Sequence, residues 1–246
     1  MKLTRTFALC STFMLGAFQA MASNHVPVKW DGWYTVTVLP ATPYAYYNEK
    51  VETTGGKIHF KTQTWKQEEG YINEEQLGAF ALDNDLLTPL FYNFHSTYRA
   101  NELTIDGTAS EGRLKVRIKK VSEQEADRPV IQKGLPSKAF FSSFFPIWVT
   151  RQIAAKASTG SFYAILEDNE AQGFSPVDGS YRVLEGDEFS KSTKSTRIEV
   201  KFAGNKSIWY LEPGGMTVRI ELPGQKTRVD RVTEKKATSF FNKDGK

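Results

Sequence analysis

Three histidines and a single cysteine leave this sequence little with which to do covalent chemistry. His59 alternates with Lys57 and Lys61, and His95 with Asn93 and Thr97, so both read as solvated strand histidines rather than catalytic bases. His25 lies in the N-terminal segment, with no serine-and-acid setting around it. There is no G-x-S-x-G elbow to supply a nucleophile and no H-E-x-x-H to hold zinc. Asp83-Asn84-Asp85 lacks the glycine and closing glutamate of a calcium loop, and reads as a turn or helix cap. Carboxylate pairs such as Glu68-Glu69, Glu74-Glu75, Glu167-Asp168 and Asp187-Glu188 would serve glycoside hydrolysis only across a cleft. Otherwise they are solvated loop charge. No catalytic residue, metal ligand or cofactor is expected.

Aromatic residues carry the stronger signal. The chain has 5 Trp, 17 Phe and 10 Tyr, more than an average core requires. They are densest between Ser137 and Ala157, where Phe140, Phe141, Phe144, Phe145, Ile147, Trp148, Val149 and Ile153 fit helical spacing. Pro146 disfavours helical geometry at Phe145, so two short helical pieces are expected, with Pro146 in the first turn of the second. Arg151 and Lys156 then fall near its C-terminus, where positive charge suits the helix dipole.

Around this insert the pattern is that of strands. Leu114, Val116 and Ile118 alternate with basic residues, and Ile198, Val200 and Phe202 with Arg197, Glu199 and Lys201. Met216, Val218, Ile220 and Leu222 do the same with Thr217, Arg219 and Glu221. Less regular strands are expected over 34–39, 57–65, 90–98 and 162–167. Asp106-Gly107, Asp178-Gly179 and Gly204-Asn205 read as turns between them, and a short helix is expected over 234–241. One-sided alternation implies antiparallel pairing. A wide antiparallel sheet curls, and its apolar hollow must be covered. The expected fold is mainly β: a curved half-barrel of nine to eleven strands with the insert near 137–157 packed in its concave face. A division into two smaller domains near 125–158 is the competing arrangement.

The first 22 residues have the parts of a secretory signal: Lys2 and Arg5, an apolar run over 7–18, then Ala20-Met21-Ala22. Cleavage after Ala22 would leave one mainly β domain, 23–246. The only cysteine, Cys10, lies in the leader, so no disulfide would hold the mature protein. Its size without cysteines suits a bacterial periplasm, with secretion as the alternative. No later segment approaches a membrane span, so a soluble mature chain is expected. Of 32 basic and 28 acidic residues, the leader removes two basic ones, and the remaining net of +2 points away from nucleic acid.

Asp106-Gly107 with the Gly112 strand, the run Phe140 to Pro146, and the closing stretch from Trp209-Tyr210-Leu211 through Val218 to Glu221 together carry a resemblance. Over roughly 30–235 the chain resembles a group of exported bacterial proteins of unknown function whose half-barrel sheet surrounds a helix. Their shape is similar to that of the periplasmic lipoprotein carriers of the Lol system. The resemblance implies that shape, and a hollow that holds the acyl chains of cargo without covalent chemistry.

Read together, these features point to a non-catalytic periplasmic protein that binds or carries a hydrophobic or amphipathic envelope molecule. Trp65, Phe140, Phe144, Phe145 and Trp148 are the expected ligand-binding residues, and a lipid or other apolar molecule the ligand. The alternative is an envelope assembly protein that holds a protein partner through a strand edge or the basic face of Arg113, Lys115, Arg117 and Lys119. A hydrolase or sugar-active enzyme is the third reading.

Overall fold

The computed structural model describes residues 26–40, 42–99, 101–120, 130–168 and 174–239. The leader, with its cleavage point and Cys10, lies outside them. The chain first lays down β1 (Lys29–Val38), β2 (Thr42–Thr54), β3 (Lys57–Glu68) and β4 (Tyr71–Leu82). Then come β5 (Pro89–Tyr98), β6 (Asn101–Ser110), β7 (Arg113–Lys120) and the short β8 (Ile131–Gly134). The insert follows as β9 (Ala139–Phe141), a 3-10 turn at Ser142–Phe144 and helix α1 (Phe145–Ala154). The return arm is β10 (Thr159–Ile165), β11 (Val177–Val183), α2 (Glu188–Thr193), β12 (Thr196–Phe202) and β13 (Asn205–Leu211). It ends with β14 (Thr217–Leu222), β15 (Thr227–Val232) and α3 (Glu234–Thr238).

All fifteen strands form one sheet, ordered β8-β7-β6-β5-β4-β3-β2-β1-β15-β14-β13-β12-β11-β10-β9. Pairing is antiparallel except between β9 and β10. The first and last strands pair at the centre, Trp33 opposite Val232 and Val38 opposite Thr227. The two edges, β8 and β9, are consecutive in the chain. Only residues 135–138 join them, a reach of about 17 Å when fully extended. Laid flat, fifteen strands would span roughly 65 Å at about 4.8 Å per strand. The sheet must therefore curl until its edges approach, and β9 comes to rest against β5, where Phe141 meets Tyr92 edge-on at 5.2 Å.

Curling needs room on the inner face, and glycine provides it. Tyr92 faces Gly107 across β5 and β6, and a Cβ at Gly107 would lie 1.9 Å from the Tyr92 ring. Phe162 covers Gly179 in the same way, at 2.3 Å. Each ring folds flat over a partner that has no side chain, a device that lets a strand bend while its apolar face stays covered. Asp106-Gly107 and Asp178-Gly179 thus lie inside β6 and β11 and are not turns, which corrects the sequence reading at both places. The β12–β13 turn is one residue early too: Ala203 and Gly204 have positive φ (50° and 76°), and Asn205 already pairs with Phe202. That is the backbone a tight hairpin between right-twisted strands demands.

The central insert lies in the concave face, as expected. Phe140, Phe141, Phe144, Phe145, Ile147 and Val149 join one core with Ile58, Phe60 and Ala79 of the first arm and Ile198, Val200 and Leu211 of the second. Strand number is the main correction, fifteen rather than nine to eleven. No helix among the described residues is long and apolar enough to cross a membrane.

Candidate functional site

The start of the insert is held by one carboxylate. Glu167, just after β10, accepts from the Ser142 hydroxyl at 2.7 Å, the Ser143 hydroxyl at 2.6 Å and the Ser143 backbone N–H at 3.2 Å. Burial raises its pKa, and these three bonds oppose that rise. Pro146 occupies the first turn of α1, where its missing N–H costs no helical bond. At the other end Arg151 donates to Asp83 at 2.5 Å and to the Asn84 carbonyl at 2.9 Å. Asp83-Asn84-Asp85 is indeed a turn: Asn84 accepts from the Thr88 N–H at 3.1 Å.

Between these anchors the rings meet. Phe140 stacks on Trp148 at 5.2 Å, Phe145 lies 5.0 Å from Phe162 and 5.3 Å from Trp209, and Trp148 meets Tyr181 edge-on at 5.7 Å. Phe144 reaches the opposite arm, 6.0 Å from Phe60. Four of the five expected residues are therefore brought together. The fifth, Trp65, is not among them. On β3 the inner positions are Ile58 and Phe60, so the parity that turns His59 outward turns Trp65 outward as well. There it stacks on Tyr46 at 4.8 Å and on Trp33 at 6.2 Å.

Phe140 and Phe144 are wholly buried and Phe145 is 5% exposed, so these rings fill the hollow and offer no free wall. The cluster is only half-buried at Trp148 and, through the buried Phe162, at Phe202; the sequence reading did not single out the last two. Phe162 touches Phe140, Phe145 and Trp148, and meets Phe202 at 5.4 Å across Gly179. Phe162 and Phe202 line a cavity of about 680 Å³, with Tyr163, Asp178, Lys201 and Lys206 also on its wall. Their visible signal was alternation, since both occupy apolar positions of recognised strands.

A second buried acid belongs to the concave face. Glu49 accepts from the Trp30 indole N–H at 2.8 Å, beside the stacked rings of Tyr34 and Tyr47. Burial pushes its pKa up to about 7. The folded protein thus binds this proton more tightly than the unfolded chain does. Stability falls as pH rises from about 4.5 to about 7, and is flat above that. Glu49→Gln keeps the indole acceptor and removes the titration. It should stabilise the protein at pH 8 by up to about 3 kcal/mol. Melting curves of both proteins between pH 5 and 8 check this, and parallel profiles would refute it.

No group of three or more histidine, cysteine or acidic side chains suited to a metal occurs among the described residues. No protein-family model matches the chain, and no curated protein matches it. Among solved structures, the chain is similar to a β-barrel-like protein of domain of unknown function DUF1849 from Brucella abortus. The TM-score is 0.55 at 12% identity, over 84% of this chain and 96% of that one. A DUF1089 family protein from Pseudomonas aeruginosa gives a TM-score of 0.41 at 13% identity, over 73% of this chain and 90% of that one. The first likeness shows the fold: a large curved antiparallel sheet of barrel-like form.

Proposed function

We propose that the chain is a non-catalytic binding protein of the periplasm that holds an amphipathic envelope molecule at the mouth of its hollow. One observation carries the reading. The 680 Å³ cavity lies around the tip of the β12–β13 hairpin, with Phe162 and Phe202 on the inner side of their strands and Lys201 and Lys206, the latter paired with Glu199 at 2.6 Å, on the outer side. Its volume is that of a small-molecule site, and its lining suits an apolar chain attached to an anionic head. The Phe140–Phe145–Trp148 cluster backs Phe162 and fixes its position, and Phe162 in turn supports Phe202 at 5.4 Å, so that this part of the wall is ordered before ligand arrives.

Native mass spectrometry of protein purified from cells is expected to show a co-purified lipid. Phe202→Ala should reduce its occupancy by about 10-fold or more, the loss of roughly 1.4 kcal/mol or more of apolar contact. Protein that leaves the cell without lipid and binds none from anionic vesicles would overturn the reading. The second reading, an assembly protein acting through a partner, draws on a different surface. Arg113, Lys115 and Arg117 stand exposed along β7, beside the four-residue edge strand β8. Recovery of a stoichiometric acidic protein by crosslinking there, without bound lipid, would favour it.

A further inference from the structure

The convex face of β1–β5 is polar, yet it is bounded at both ends by aromatic rings. At one end stand Trp33, Tyr46 and Trp65, half-buried, their planes within 30° of one another. At the other, His59 stacks on Phe80 at 4.0 Å, and Phe80 lies 6.4 Å from Phe91. From Trp65 to His59 is six residues of β3, about 20 Å along the strand.

Between the two ring groups lies a band of side-chain amides whose directions are already set. Gln63 and Gln76 face each other across β3 and β4, and both donate to Glu74, at 2.7 and 3.0 Å. Asn48 donates to Asp31 at 2.7 Å and to the Gly32 carbonyl at 3.1 Å. Asn93 donates to Asp106 at 2.7 Å. Each amide spends an N–H on a protein acceptor, which fixes the plane and direction of its carbonyl group. A groove of about 320 Å³ runs among them over Gly78, where a Cβ would meet nothing within 4 Å. It shares Lys50 and Lys61 with a neighbouring groove of about 300 Å³ beside His59.

We propose that this face binds a linear glycan chain. Pyranose rings present apolar C–H faces to aromatic side chains and hydroxyls to amides, and this band offers both in an extended track. The amides are oriented before binding, so little ordering cost remains. An added peptide strand does not suit the place, because β1 to β5 are each paired on both sides and offer no free edge. The proposal stands on the convex face and is independent of what occupies the hollow.

The test titrates the intact exported protein with chitohexaose, cellohexaose, maltohexaose and soluble peptidoglycan strands, followed by calorimetry and tryptophan emission. At least one is expected to bind with a Kd of about 1 mM or tighter and to shift the emission of Trp33 and Trp65. Trp65→Ala should weaken that binding by about 10-fold or more. Gly78→Val is the sharper variant. Its side chain enters open space on a strand, so the melting temperature should be unchanged or raised, while the filled groove no longer accepts the chain. Absence of binding by all four probes at about 10 mM, or Gly78→Val binding as the parent does, would overturn the proposal.

Discussion

Phe144→Ala is expected to cost about 3–5 kcal/mol of unfolding free energy. The ring is wholly buried, in the turn that leads into α1, and it meets Phe60 of the first arm at 6.0 Å and 66°. Removing it loses the transfer energy of a full aromatic side chain and leaves a void that neighbours can close only in part. Collapse is hindered because both ends of the insert are anchored, by Glu167 before the helix and by Asp83 near its end. The measurement is urea unfolding with the slope held constant, so that the midpoint shift reports stability alone. A loss below about 1 kcal/mol would mean that the ring faces solvent and that the insert does not fill the hollow.

The curved sheet and its aromatic filling were legible in the sequence because each rests on a local pattern. Strict alternation over 113–119 and 197–202 marks β7 and β12, and the density of Phe between 140 and 145 marks the insert. Strand number was not legible, for a physical reason. At the beginning of β4 the inner positions are Asn73 and Glu75, and Lys66 of β3 bonds Glu75 across them at 2.6 Å. With polar groups on both faces, no hydrophobic period remains to be read. The two Asp-Gly pairs misled because glycine there answers to a ring lying above it from the preceding strand, Tyr92 over Gly107 and Phe162 over Gly179, a cross-strand contact that the local turn signal does not show. Helix α2 went unseen because it is six residues long and packs chiefly through Phe189 on Tyr210; Asp187, read as loop charge, is its N-cap. Of the candidate site, the buried backing was legible and the accessible part was not. Density flags residues that fill a core, whereas Phe162 and Phe202 are single apolar positions that meet across the Gly179 gap, the first buried and the second half-buried.

Breaking the Arg151–Asp83 pair should be as costly as losing Phe144. Asp83 is 2% exposed and Arg151 13%, so either partner left alone is a buried, uncompensated charge, at a cost of about 3–5 kcal/mol. Arg151→Met and Asp83→Leu are each expected to show that loss. The double variant should recover most of it, since an apolar pair of similar volume avoids the desolvation of both charges. The geometry gives the pair a role beyond its energy. Glu167 fixes the start of the insert to the second arm, and Arg151 fixes α1 to the β4–β5 turn of the first. The helix is thus a cross-brace between two halves of a sheet whose edges do not pair. Hydrogen exchange should therefore accelerate in β9 and α1 of either single variant before it does in β1 or β15, which are paired at the centre of the sheet. Single variants that lose less than about 1 kcal/mol, or exchange that accelerates uniformly, would show that the arms hold their curvature without the brace.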